Sequence, residues 1–180
     1  MRKESEGVTE TLLESAEREF LKYGFRDASL RRISSESGVS TNSIYTRFKD
    51  KEGLFEALVK PAADGLMNIY INSVQAASGV SAVSDAINYG NQGTDEVLEY
   101  IYSNFNAFRL IFCHSAGTKY EDNFDRLAEI EESYYRKFAI QFAVDKTVDD
   151  MFIHVICRTG WQYVYEIVSH ELEFDKAKSF

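Results

Sequence analysis

The chain has 180 residues, with 44% hydrophobic and 27% charged side chains and a net charge of −9. That profile suits a soluble globular protein able to bury a sizeable core, and no apolar run approaches the roughly 20 residues a membrane span needs. Two cysteines, Cys113 and Cys157, are too few for a disulfide frame, and the polar start at Met1–Glu6 has no secretory pattern, so a cytoplasmic protein with reduced thiols and no membrane partner is expected.

The acidity is uneven. Residues 1–60 hold 11 basic and 11 acidic side chains, and residues 26–60 hold 7 basic against 5 acidic. An acidic body with a locally basic face is compatible with nucleic acid. One proline, Pro61, and the dominance of helical apolar spacing predict an all-α fold. The first helix is expected from Val8 to Tyr23, with Val8, Leu12, Ala16, Phe20 and Tyr23 on one stripe and Gly24 as its stop. Ser29 is expected to cap a short helix, Leu30–Glu36, with Ala28 packing back on Ile33. Gly38 breaks it, and Ser40 caps a third helix, Thr41–Phe48, onto which Val39 staples through Ile44. Asp50 caps a fourth, kinked or interrupted at Pro61. Residues 77–93, rich in Gly, Ser and Asn, read as a loop holding a weak helix. Three further helices are expected at Thr94–Phe112, Glu121–Phe142 and Val148–His170, with a break at Ala116-Gly117-Thr118.

Two short helices about Ser37-Gly38-Val39-Ser40 form a helix-turn-helix pattern, residues 29–48. The second of them has an apolar back, Ile44 and Phe48, and a polar front, Thr41, Asn42, Ser43, Thr46 and Arg47. Such a front suits the DNA major groove, where Asn and Arg pair with base edges and hydroxyls reach bases or phosphates. Tyr45, Lys49 and Lys51 are candidate phosphate clamps beside it, and Ser29 and Arg31 candidates for the opposite backbone strand.

The ordered set Ala16, Phe20, Tyr23-Gly24-Phe25, Ala28-Ser29-Leu30, Ile33, Gly38-Val39-Ser40, Ile44-Tyr45, Phe48 and Lys51-Glu52-Gly53-Leu54 closely resembles the N-terminal domain of TetR-family regulators. The resemblance covers Ala16 to Leu58 and implies a three-helix DNA-binding head, a linking fourth helix and a larger ligand-binding, dimerising body. It implies domains at 6–66 and 67–180, phosphate contacts from Tyr45 and Lys51, and a groove-lining segment Thr41–Arg47. Many relatives carry Gly or Ala where this chain has Asn42, which bears on the operator read. Phe108–Phe112, Gly117–Asp122 and Glu129-Ile130-Glu131 are similar to bodies of a TetR subgroup whose effectors are mostly unknown, and such relatives often have one further helix after the position of Phe180.

The expected activity is regulatory and not enzymatic: a repressor that binds a palindromic double-stranded operator as a homodimer through its last two long helices, with no cofactor, and leaves it when a small-molecule effector binds. Candidate effector contacts are Tyr100, Phe105, Phe108, Arg109, Phe112, Tyr134, Trp161 and Tyr165, in a stretch dense with aromatics. Arg109 can meet an anionic effector or pair with an acidic neighbour. An alternative is a metal-binding or metal-sensing helical protein using Cys113, His114, His154 and Cys157, since His154 and Cys157 share a helix face.

Overall fold

The computed structural model describes residues 6–78, 81–142 and 148–179, and among these the fold is all-α, without a strand. The helices in chain order are α1 (Glu6–Asp27), α2 (Leu30–Ser37), α3 (Thr41–Phe48), α4 (Lys51–Ser78), α5 (Val83–Ser103), α6 (Phe105–Cys113), α7 (Asn123–Phe142), α8 (Asp150–Ser169) and α9 (Phe174–Ala177). The polar start at 1–5, residues 79–80 of the expected loop, residues 143–147 and Phe180 lie outside the described residues.

Contacts divide the chain into two compact units. The first takes the residues up to Ala63 together with Asn106–Glu121, and the second takes Asp64–Phe105 and Asp122–Phe180. The first unit thus draws on a later segment and stops at Ala63, short of the expected boundary at residue 66. Its core is Leu12, Ala16 and Phe20 from α1, Ile33 from α2, Ile44 from α3, and Leu54, Phe55 and Val59 from α4, all fully buried. Phe108, Leu110 and Ile111 of α6 are buried too. The Phe20 and Phe55 rings meet edge-on at 5.1 Å, and Phe25 meets Phe55 at 5.4 Å. Rings in such T-shaped pairs add to burial through their quadrupoles. Behind them Phe25 N–H donates to His114 O at 2.9 Å, and Lys119 pairs with Glu56 at 2.5 Å.

Gly24 (φ 71, ψ 167) breaks α1 in a region that side chains other than hydrogen essentially never reach, so the chain turns there although helical turns resume to Asp27. Pro61 does not interrupt α4, which is assigned continuously from Lys51 to Ser78. One missing donor is tolerated in a 28-residue helix whose Val59 and Ala62 are buried on either side of it.

In the second unit the expected loop holding a weak helix at 77–93 is mostly helix among the described residues, since α4 runs to Ser78 and α5 begins at Val83. Gly93 serves close helix packing, whereas a Cβ on Gly90 would meet nothing within 4 Å. A Cβ on Gly93 would sit 2.8 Å from Ser73 Cβ on α4, and one on Gly65 of α4 would collide with the Tyr100 hydroxyl on α5. The single helix expected over Thr94–Phe112 is two, parted at Asn104, whose side-chain amide donates to Tyr100 O at 3.0 Å. α7 and α8 pack together, locked by Arg158 to Asp125 at 2.5 Å, His154 Nδ1 with Glu132 at 2.8 Å, and an ion pair of Arg136 with Asp150. Asp149 Oδ1 caps α8, accepting from the N–H of Met151 and of Phe152 at 2.7 and 3.2 Å.

Candidate nucleic-acid interface and cavity

α2 ends on Gly38 in the left-handed conformation (φ 69, ψ 7), and α3 restarts after three residues. The start of α3 is closed by Ser40 Oγ, which accepts from Ser43 N–H at 3.2 Å. Ile44 points into the core at 0% exposure while Tyr45 is 54% exposed, so the helix divides into an inner and an outer face. Asn42, Tyr45, Thr46 and Lys49 stand on the outer side, and Thr41 and Ser43 are half-buried. Thr46 Oγ1 donates to Asn42 O at 2.8 Å, which leaves its lone pairs available outward.

Lys49 ends α3 at φ 73, a conformation that disfavours a side chain, and its N–H donates to Tyr45 O at 2.9 Å. Lys49 is exposed, and the turn brings Asp50 round to cap α4, where Gly53 N–H donates to Asp50 Oδ1 at 2.7 Å. Backbone held at positive φ without glycine is strained by about 1–3 kcal/mol and tends to occur at functional positions.

Three of the sequence candidates hold internal positions. Arg47 is half-buried and its guanidinium donates to Thr9 Oγ1 on α1. Lys51 Nζ donates to Arg26 O at 3.0 Å and Ala28 O at 3.1 Å, and lies 4.7 Å from the Phe25 ring centroid. It neutralises carbonyls at the end of α1. Ser29 is the N-cap of α2, but its hydroxyl makes no cap bond; its own N–H donates to Glu19 Oε1 at 2.8 Å. Glu19, 5% exposed, also accepts from Arg32 Nε at 2.8 Å. This buried carboxylate was missed in the sequence because its partners lie 10 and 13 residues away. Arg31 is exposed at the start of α2.

The second unit contains a cavity of about 730 Å³. Tyr70 of α4, Ile87 and Val97 of α5, Glu131, Tyr134 and Tyr135 of α7 and Trp161 of α8 are among its lining residues. Of the eight aromatic and basic candidates, Tyr134 and Trp161 line it. Phe108, Arg109 and Phe112 belong to the first unit, where Phe108 is fully buried and stacks on Phe112 at 6.0 Å. Arg109 lies beside His114, whose pKa burial lowers first and that guanidinium second. Phe105 packs on Tyr102 at 5.2 Å, Tyr100 against Gly65, and Tyr165 is half-buried outside the lining.

Burial pushes the Glu131 carboxyl up to about 7. The Trp161 indole N–H is near enough to hold that rise back, without forming a well-aligned hydrogen bond. Burial, then the charge of Glu131, raises the Tyr70 and Tyr135 phenols, and burial pushes the Cys157 thiol up to about 12. Glu131 and Tyr70 escaped the sequence reading, although Glu131 shares the i, i+3, i+4 face of Tyr134 and Tyr135.

The metal alternative gains no support. Among the described residues no three His, Cys, Asp or Glu side chains gather as a ligand set. Cys113 is exposed and Cys157 buried with a protonated thiol, while His154 Nδ1 is taken by Glu132. No described helix is long and apolar enough to cross a membrane.

Residues 12–58 match the family described as bacterial regulatory proteins, tetR family. The chain is 39% identical over 49 residues to the HTH-type transcriptional repressor Rv1474c of Mycobacterium tuberculosis, covering 27% of this chain and 26% of that protein. It is 40% identical over 52 residues to the HTH-type transcriptional repressor AcnR of Corynebacterium glutamicum, covering 29% of this chain and 28% of that protein. The matched segment is thus little more than a quarter of these relatives' length. Across the whole chain the fold is similar to that of a TetR-like transcriptional regulator from Rhodococcus sp. RHA1, with TM-score 0.61 and 17% identity over 99% of this chain and 93% of that one. A TetR-family protein from Syntrophomonas wolfei gives TM-score 0.62 and 17% identity over 98% and 91%. A matching head sequence and a capped helix-turn-helix with a polar outer face thus give residues 12–58 the tetR-family pattern, and the whole chain shares its all-α fold with these TetR-like structures.

Proposed function

We propose that this protein is a DNA-binding transcriptional repressor that holds a palindromic operator as a homodimer and is released by a small molecule bound in the second unit. The observation that carries this reading is α3: a capped helix with Ile44 anchored in the core and Asn42, Tyr45 and Thr46 presented outward. Asn42 is the candidate reader of a base edge, and Tyr45, Lys49 and Arg31 the candidate phosphate contacts. Lys51 serves by fixing the end of α1 against the start of α4, and Arg47 by tying α3 to α1. Repression follows the sense of the relatives' names and the steric logic of an occupied promoter.

Dimerisation is supported by α8, which is apolar on two sides. Ile153, Cys157, Trp161 and Val168 are buried, yet Met151, Phe152, Val155, Ile156 and Tyr163 are exposed by 65, 60, 52, 40 and 57%. A helix apolar all round is a buried helix, and a self-complementary stripe in a two-fold pair would cover the second side. A Cβ on Gly160, beside that stripe, meets nothing within 4 Å, so the chain itself does not require the missing side chain. Two copies would present their α3 helices to successive major grooves, roughly 34 Å apart. An effector that binds better to a different spacing of the heads would shift the population away from DNA. The site of action is the cytoplasm, where operator DNA resides.

Binding to duplexes carrying operator candidates from beside the protein's own gene tests the reading. Tyr45→Ala should weaken all duplexes alike by about ten-fold, whereas Asn42→Ala should alter preference at particular base pairs. Salt-independent binding, or binding indifferent to both substitutions, would remove α3 as the reading element.

A further inference from the structure

The cavity of the second unit carries an acid without a base. Among the described residues Glu131 makes no ion pair, although its neighbour Glu132 contacts both His154 and Arg136. Around it stand π faces: the Tyr70 ring lies 5.9 Å from Trp161 and 6.4 Å from Tyr134, and Tyr135 and Phe138 also line the space. The other charged lining residue, Lys137, is exposed and holds its ammonium 5.3 Å from the centroid of the Tyr134 ring, so this wall already draws positive charge.

We propose that the cavity binds a lipophilic organic cation, a quaternary or protonated amine or a phosphonium on an apolar body, with Glu131 as its counter-charge and Tyr70, Tyr134, Tyr135 and Trp161 as its walls. The proposal rests on the reading of this cavity as the effector site and names the chemistry of the effector. Aromatic faces present the negative end of their quadrupole, so they add to the attraction of a carboxylate for a cation and oppose an anion. A neutral apolar ligand would fill the space but leave Glu131 desolvated and unpaired, at a cost. The position of Glu131 already shows that cost, since burial has pushed its carboxyl up to about 7. A volume of about 730 Å³ lies within the usual range for small-molecule sites.

Tetraphenylphosphonium and tetraphenylborate are nearly identical in shape and opposite in charge, and they form the decisive pair. Titrated calorimetrically into the full chain, the cation should bind at least about ten-fold tighter than the anion. It should also perturb the fluorescence of Trp161, the one tryptophan in the sequence. Glu131→Gln, checked for helicity by circular dichroism, should abolish most of that preference. The slimmer pair 4-phenylbutylammonium and 5-phenylvalerate repeats the comparison on unmodified protein and needs no variant. Equal or tighter anion binding, a preference that survives Glu131→Gln, or no binding of either cation below about 1 mM would overturn the proposal. Operator release is scored separately. A cation that binds with the expected preference and leaves the DNA complex intact supports the site and refutes its effector role. Release by ligands of either charge refutes the cation preference and supports the effector role.

Discussion

The two units finish their business differently. In the first, polar groups close on one another inside the chain: Glu19 takes Ser29 N–H and Arg32, Lys51 takes two carbonyls, and Asp50 and Ser40 cap their own helices. In the second, Glu131 has no basic partner among the described residues and lies beside a cavity, and α8 turns a row of large apolar side chains outward. A unit that caps its own helices and ties its buried carboxylate internally is suited to presenting a fixed surface. A unit with open valences suits completion by something else, on the proposed reading a ligand and a second copy.

The contrast can be broken at graded cost. Phe20→Ala removes a fully buried ring that packs on Phe55 and should destabilise the first unit by about 3–5 kcal/mol, seen as a lower denaturant midpoint with DNA binding lost together with the fold. Phe152→Glu charges a side chain 60% exposed on α8 and should leave helicity intact while weakening self-association by about a hundred-fold, read by sedimentation; an unchanged dimer would take the stripe out of the interface. Lys51→Ala leaves the carbonyls of Arg26 and Ala28 without their donor and should lower stability by about 1–2 kcal/mol. A pure phosphate clamp would instead reduce the salt slope by about one unit and spare the melting temperature.

The smallest effect is in pH. Glu131 titrates near 4.5 when unfolded and at about 7 when folded, so between those values the native state holds a proton the unfolded state has lost. Stability contributed by this group should therefore fall as pH rises from about 4.5 to about 7 and then level off. Tyr70 and Tyr135, whose phenols are raised, and Cys157, at about 12, stay neutral throughout that window. Glu131→Gln should flatten the slope and melt about 1–3 °C above the parent at pH 8, with no gain at pH 4.5. An equal gain at both values would mean that ionisation is not the cause.

Local signals made the first unit legible. Gly38 and the cap Ser40 set the bounds of α3 to the residue, because turn and cap chemistry act within four positions. What escaped depends on distant partners. Ser29 is the N-cap of α2 as its type suggests, but its hydroxyl makes no cap bond, and its own N–H goes to Glu19, ten residues back. Gly93 reads as loop because glycine signals both flexibility and close approach, and only the neighbouring Ser73 distinguishes the two. Phe108, Arg109 and Phe112 look like pocket residues in an aromatic-rich stretch, yet α6 completes the core of the first unit. Glu131 is invisible as a charge of interest in a chain with 29 acids until its missing partner can be seen.

The contribution of α6 limits how this protein can be dissected or recombined. A fragment cut after residue 66 would lack Phe108, Leu110, Ile111 and Tyr120 and would show water the apolar surface they cover. Grafting the reading helices onto another body as one contiguous cassette would therefore transplant only part of a core. Exchange between relatives has to carry both stretches of chain together, so a change of operator is more readily reached by single substitutions on α3 than by swapping the whole head.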